Sequence, residues 1–287
     1  MHKIKITILV CLCVQIFQAQ PEKDLFDKEH SLLFAKYLFK SQQFVNAAGE
    51  FERLSYLHAE DDSLKIMALE CYLFSNEPFL LRKRHALLYE QKTSANQNRI
   101  DGLITRSFFK EKLYDAGADF SNASTALQLE QKIYFEIFAL LFKDQFKDAS
   151  KIPLPLQIHP EYVNQLNGAI NLAKEARNVR QKSPLLAGTM SAIIPGSGKF
   201  YTKDWKDGLI GFFTVGATAY QSVRGFQRRG VNSAYGWVFG GMATGFYLGN
   251  IYGSVQSAKR YNKKSKQKIK LQIENRFNSD YLPIILQ

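Results

Sequence analysis

The sequence predicts an all-α chain, with a helical solenoid of repeated helix pairs followed by a short glycine-rich transmembrane helical domain. Three observations carry that prediction. Apolar residues recur at helical spacing, within a longer period, through the N-terminal half. After Ser183 charge becomes sparse and glycine frequent. The first residues have the form of an export signal.

That signal comes first in chain order. Met1 to Lys5 is a short basic region, and Ile6 to Phe17 is largely apolar but too short to span a bilayer. Gln18-Ala19-Gln20 follows. The pattern predicts a signal peptide over 1–19, cleaved between Ala19 and Gln20, and an uncleaved anchor is the other reading of the same residues. Cys11 and Cys13 lack the small residues that precede a lipidated cysteine. Cleavage leaves Cys71 alone, so no internal disulfide forms. It lies in the apolar run Met67–Phe74 and is expected to be a buried core residue.

The repeat region spans 20–150. Phe44, Phe79, Leu113 and Phe146 are separated by 35, 34 and 33 residues, and each follows an apolar helical stretch. Ala47 with Phe51, and Ala116 with Phe120, place a small residue and then an aromatic at matching positions. The second copy departs at Arg82 and Ala86, and Pro153 and Pro155 truncate the fourth. From Glu29 to Ser150 this resembles the tetratricopeptide repeat, in which a helix pair recurs about every 34 residues. In that pattern the small residue lets the second helix approach the first and the aromatic closes the packing. The resemblance implies a solenoid that binds a protein partner and no catalytic role. Asp61 and Asp62 stand where the N-cap of a helix beginning near Ser63 is expected.

A linker and capping helix cover 151–182. Three prolines between Ile152 and Pro160 end the repeats. Val163, Leu166, Ala169, Ile170 and Ala173 then share one helical face.

The membrane domain is placed at 183–258. Its hydrophobic stretches are Pro184–Ile194, Gly208–Val223 and Ala234–Val255, and only the last approaches the roughly 20 residues of a crossing. The first is read as broken or re-entrant, with two full crossings after it. Gly241, Gly245, Gly249 and Gly253 recur every four residues, with Gly236 and Gly240 before them, and predict a smooth packing groove. Ser191-Ala-Ile-Ile-Pro195-Gly196-Ser-Gly198-Lys-Phe-Tyr201 resembles the P-G-x-G-x-x-Y signature that opens a small bacterial membrane domain of unknown function. That resemblance implies architecture and no mechanism.

Pro195–Lys199 is not a nucleotide loop. Ile193 stands where its first glycine belongs, and Phe200 replaces the hydroxyl residue. The mature histidines are dispersed without metal-ligand spacing, and neither a cofactor nor a catalytic set is predicted. The formal charge of +12 is concentrated after Lys174. Export turns such an excess toward membrane lipid rather than nucleic acid. A basic tail, 259–287, carries Lys259, Arg260, Lys263, Lys264, Lys266, Lys268 and Lys270 as lipid-facing charges, and alternation at Ile269, Leu271 and Ile273 allows a short strand there. Arg224, Arg228 and Arg229, between the last two stretches, compete with that tail for the inner side of the membrane.

These features predict a non-enzymatic, membrane-anchored scaffold of the bacterial cell envelope. Its repeats would face the periplasm and hold a protein partner. Its glycine-rich hairpin would dock in a complex in the inner or outer membrane. The alternative is a small α-helical channel, a homo-oligomer built on the glycine stripe.

Overall fold

A computed structural model describes residues 26–89, 96–281 and 283–286, and the signal peptide at 1–19 lies outside the described residues. All regular structure among the described residues is helical. The chain divides into two compact units, Met1–Ala139 with Tyr281–Gln287, and Leu140–Asp280.

The first unit is built of helix pairs: α1 (Lys28–Lys40) with α2 (Phe44–Leu57), α3 (Asp62–Phe74) with α4 (Phe79–Tyr89), and α5 (Gln97–Lys110) with α6 (Tyr114–Ala123). A further helix, α7 (Leu129–Phe142), crosses the boundary between the units. Phe44 and Phe79 are the first residues of α2 and α4, so the sequence period marks the start of second helices. Leu113 is the N-cap of α6 and lies one residue early.

The turn chemistry explains the repeat. Gln42 and Lys112 take left-handed backbone angles, with φ of 62° and 63°. The next residue closes each helix end, as Gln43 N–H donates to Leu38 O and Leu113 N–H to Phe108 O, both at 2.9 Å. In this register the residue matching Ala47 is Gly117, not Ala116. Ala47 and Phe51 are fully buried. Ala116 is exposed, whereas Gly117 is buried and a Cβ there would stand 2.9 Å from the Phe109 ring. Phe120 is half-buried against Phe108, at 6.0 Å between ring centres. The predicted pair Ala116 and Phe120 is thus displaced by one residue, because two adjacent apolar residues, Leu113 and Tyr114, both fit the period.

Helix α3 is central. Asp61 caps it, accepting from Ser63 N–H at 3.2 Å. It packs on α2, α4 and α5 and buries residues all around, from Leu64 to Leu73. Each large apolar side chain so buried contributes about 1.5–3 kcal/mol. Cys71 is among them, and burial pushes its thiol pKa far up, so it is core and not a nucleophile. In the second copy Arg82 replaces the small residue and turns to α5 and the residue after it, donating to Ser107 Oγ at 2.8 Å and to Glu111 at 2.9 Å.

The second unit begins at the end of α7, and the second helix of the truncated fourth pair, α8, is only Phe146–Ala149. Asp144, with φ 61°, repeats the same turn ahead of it. Extended chain through Pro153 and Pro155 leads to α9 (Pro160–Arg177), with Pro160 at its first position. Then come α10 (Pro184–Ile193), the one-turn α11 (Ser197–Tyr201), α12 (Trp205–Arg229), a 3₁₀ turn at Gly230–Asn232, and α13 (Ala234–Ser279).

Helix α13 organises this unit and continues past residue 258. It runs about 70 Å and continues through the basic run. Ile269, Ile273 and Phe277 are buried at a spacing of four, the helical period, while Leu271 is exposed. The alternation that allowed a short strand joins two residues of the buried helix face, Ile269 and Ile273, to Leu271 on the exposed side. Helix α9 lies along this distal half, where Arg276 Nη2 donates to Asn164 O at 2.8 Å across Gly168. Helices α10, α11 and α12 pack on the proximal half.

Among the described residues no helix is both long and apolar enough to cross a membrane. The predicted crossings coincide with α12 and the start of α13, which carry Thr218, Ser222, Asn250 and Ser254 among their apolar residues.

Candidate functional site

The proximal half of the second unit has an inverted distribution of side chains. Its interior is small and polar: Ala187, Gly188, Ser191, Gly198, Thr202, Gly208, Thr218, Ser222, Gly225, Gly236, Asn250, Ser254 and Ser257 are buried. Val215 is the sole large aliphatic buried there among the described residues. Its exterior is large and apolar. Phe213 is 66% exposed and Trp237 65%, and Leu185, Ile193, Ile210, Phe212, Val238, Phe246 and Leu248 are exposed with them.

Local geometry produces this arrangement. Helices α12 and α13 run antiparallel and meet at glycines. A Cβ on Gly225 would stand 2.8 Å from the Gly236 backbone, and one on Gly211 would stand 2.7 Å from Asn250 Oδ1. Ser222 Oγ donates to Gly236 O at 2.9 Å. Helix α10 descends beside α13, where Ser191 and Ser254 hydroxyls are 2.6 Å apart. Tyr247 Oη donates to Ala192 O at 2.6 Å. Then α11 turns back, with Thr202 and Ser257 hydroxyls 2.7 Å apart. Exposed hydroxyls bond their own helix: Thr214 Oγ1 donates to Ile210 O at 2.7 Å and Thr244 Oγ1 to Gly240 O at 2.9 Å. Asn250 is 5% exposed, and its amide has no hydrogen-bond partner among the described residues.

The P-G-x-G-x-x-Y residues form the corner between α10 and α11. Pro195 follows the end of α10. Gly196 has φ 89°, and a Cβ there would be 2.1 Å from Gly208 O. Gly198 fits against α10, where a Cβ would be 1.9 Å from Ala187 O, and its N–H donates to Ser191 Oγ at 2.9 Å. Tyr201 Oη accepts from Ser183 N–H at 3.1 Å, under the Lys182 ammonium. Both glycines are therefore fixed by backbone approach.

The predicted glycine stripe splits. Gly236 and Gly240 face α12, with Ser222 Oγ 3.0 Å from a Cβ on Gly240. Gly253 faces the Lys199 side chain. Gly241, Gly245 and Gly249 have nothing within 4 Å of an added Cβ, so the register of three is uncovered and does not pack the hairpin.

Charge sits at both ends. Arg224, Arg228 and Arg229 line a cleft of about 370 Å³ at the hairpin tip, together with Gln221, Ser233 and Tyr235. From Gly208 to Ile273 the chain has no Asp or Glu. At the opposite end Asp204 bonds Ser257 Oγ at 3.2 Å and faces Arg260 at 3.8 Å. Lys259, Arg260, Lys263, Lys264, Lys266, Lys268 and Lys270 are all exposed along α13.

The first unit holds a second arrangement, missed in the sequence. Glu70 has no exposed surface. Its Oε1 accepts from Arg99 Nη2 at 2.8 Å and from Tyr281 Oη at 2.6 Å, and its Oε2 accepts from Ile285 N–H at 3.3 Å. The Tyr281 ring lies 4.9 Å from the Arg106 guanidinium carbon and 6.3 Å from the Phe74 ring. Burial and the charge of Glu70 push the Tyr281 phenol pKa far up. Pro283 and Ile285 are buried with it. A lone carboxylate inside the apolar run Met67–Phe74 was the available signal, since a buried charge needs partners. Among the described residues no three His, Cys, Asp or Glu side chains gather as a metal site.

Comparison with protein-family models, with curated proteins and with solved structures gives no match.

Proposed function

We propose that this chain is a non-enzymatic, membrane-anchored envelope scaffold, with residues 184–258 inserted in lipid and the helical repeats holding a protein partner. One observation carries the membrane half: the small-and-polar interior and large apolar exterior of α10–α13. In water, each exposed large apolar side chain forgoes about 1.5–3 kcal/mol of burial. A continuous apolar surface of this kind marks a membrane or protein contact. In lipid the same distribution is favourable, because small residues let helix backbones approach and polar groups must find partners inside the protein.

This reading also accounts for the modest hydropathy of α12 and α13. A mean over a helix counts Thr218, Ser222, Asn250 and Ser254, which face the interior and would never meet lipid. Trp205 and Trp237 stand exposed near opposite ends of the hairpin, and basic residues lie beyond both. In this arrangement α12 and the proximal part of α13 form two crossings, and α10–α11 is a re-entrant hairpin. Placement in the envelope rests on the signal peptide read at 1–19.

The open glycines Gly241, Gly245 and Gly249 favour a second reading, self-association into a helical channel. Extraction of the full chain in mild detergent separates the two. A stoichiometric foreign protein, lost when 29–150 is deleted, supports the scaffold. A discrete homo-oligomer without a partner supports the channel, and bilayer conductance then tests it.

A further inference from the structure

We propose that the face of α3 and α5 around Glu70 is a recognition site for a short tyrosine-containing segment of a partner protein, and that Tyr281–Leu286 is its built-in competitor. The proposal rests on the partner-binding half of the scaffold reading and names its site.

Glu70 is the centre of the argument. A fully buried carboxylate is costly unless its oxygens are paired. On the helices Arg99 bonds it, and the segment adds the Tyr281 hydroxyl and the Ile285 backbone N–H. A backbone N–H is present in almost any peptide. The aromatic hydroxyl is selective, and the site reads it twice, with Glu70 on the hydroxyl and Arg106 over the ring. Pro283 and Ile285 are buried, Leu286 is 52% exposed, and Ile284–Leu286 forms a 3₁₀ turn. The ligand class follows. It is a short segment with a tyrosine and, four residues later, an aliphatic side chain carried on a 3₁₀ turn.

The recognising groups stand on helices, and the segment's Ile285 joins the same core. Glu70, Arg99 and Arg106 stand on α3 and α5, whose own core residues Leu69, Ile100 and Leu103 are fully buried. The segment reaches this site from 211 residues away in sequence. An intramolecular occupant lowers the apparent affinity for any partner by the fraction of sites it fills. Binding of a partner is thereby coupled to release of the segment after α13.

The test uses a fluorescent, amidated peptide with the sequence of residues 279–286, titrated into the full chain in detergent. Three measurements are compared: the unmodified chain, a released chain carrying Tyr281→Ala and Ile285→Ala, and the released chain with a peptide bearing Tyr281→Phe. The released chain is expected to bind saturably and the unmodified chain roughly tenfold more weakly or not at all. Loss of the hydroxyl should weaken the peptide by roughly tenfold. A released chain that keeps its helical circular dichroism but binds no peptide overturns the proposal. A released chain that loses helix content also overturns it, because the segment is then fixed core. A partner captured through the repeats that the peptide does not displace refutes this site and leaves the scaffold standing. Peptide binding without any co-purifying partner refutes the scaffold and leaves the site.

Discussion

Gly225 of α12 lies directly on Gly236 of α13, so close that a Cβ on Gly225 would stand 2.8 Å from the Gly236 backbone. Gly245, about two and a half turns further along α13, faces open space. Gly225→Ala therefore forces the hairpin apart and is expected to destabilise it by about 1–3 kcal/mol. Gly245→Ala should stabilise the monomer by about 0.5–1 kcal/mol through helix propensity. Thermal unfolding in detergent reads both. If Gly245→Ala instead breaks an oligomer, the channel reading gains.

The cap at Asp61 gives a pH-dependent prediction. Hydrogen bonds from Ser63, then the Lys28 ammonium, hold its carboxyl pKa below the ordinary value of 3.8. A lowered folded pKa contributes stability that is present above the unfolded pKa and lost as pH falls through the folded one. Asp61→Ala should cost about 1 kcal/mol at neutral pH. The difference from the unmodified chain should vanish in acid below the folded value, as followed by chemical denaturation.

Lys112 holds a left-handed backbone angle, φ 63°, without being glycine. Lys112→Gly removes that steric conflict and is expected to raise stability by about 0.5–1 kcal/mol, after the added freedom of the unfolded chain is counted. A lower melting temperature would show that the Lys112 side chain has a role beyond the turn.

Arg224, Arg228 and Arg229 gather at the hairpin tip in a stretch without acidic residues. Replacing all three with alanine should weaken attachment to anionic vesicles by about 1 kcal/mol per charge and flatten its salt dependence. Equal binding of both proteins across a salt series would place the tip away from lipid headgroups.

Much of this architecture was legible because local chemistry wrote it. Phe44 and Phe79 marked helix starts, Asp61 a cap, and Pro153 and Pro155 a stop. The Pro195–Tyr201 glycines stood out as a signature. The errors have physical causes too. Leu113 and Tyr114 are both apolar, so the third copy slipped by one and Ala116 was named where Gly117 packs. Ile269 and Ile273 fit both a two-residue and a four-residue period, and only packing against α9 distinguishes them. The glycine stripe was visible, but its pairing was not, since α12 meets Gly236 and Gly240 and leaves Gly241, Gly245 and Gly249 uncovered. The Glu70 site joins residues far apart in sequence and leaves no periodic trace.

The central claim is that the apolar exterior of α10–α13 faces lipid. Trp205 and Trp237, the chain's two tryptophans, are both exposed and report on it directly. The decisive measurement is quenching of their fluorescence in the reconstituted full chain, by spin-labelled lipids and by aqueous iodide. The account predicts strong quenching by shallow lipid labels and protection from iodide. Free quenching by iodide with none from lipid would contradict it and turn the same apolar surface into a protein interface.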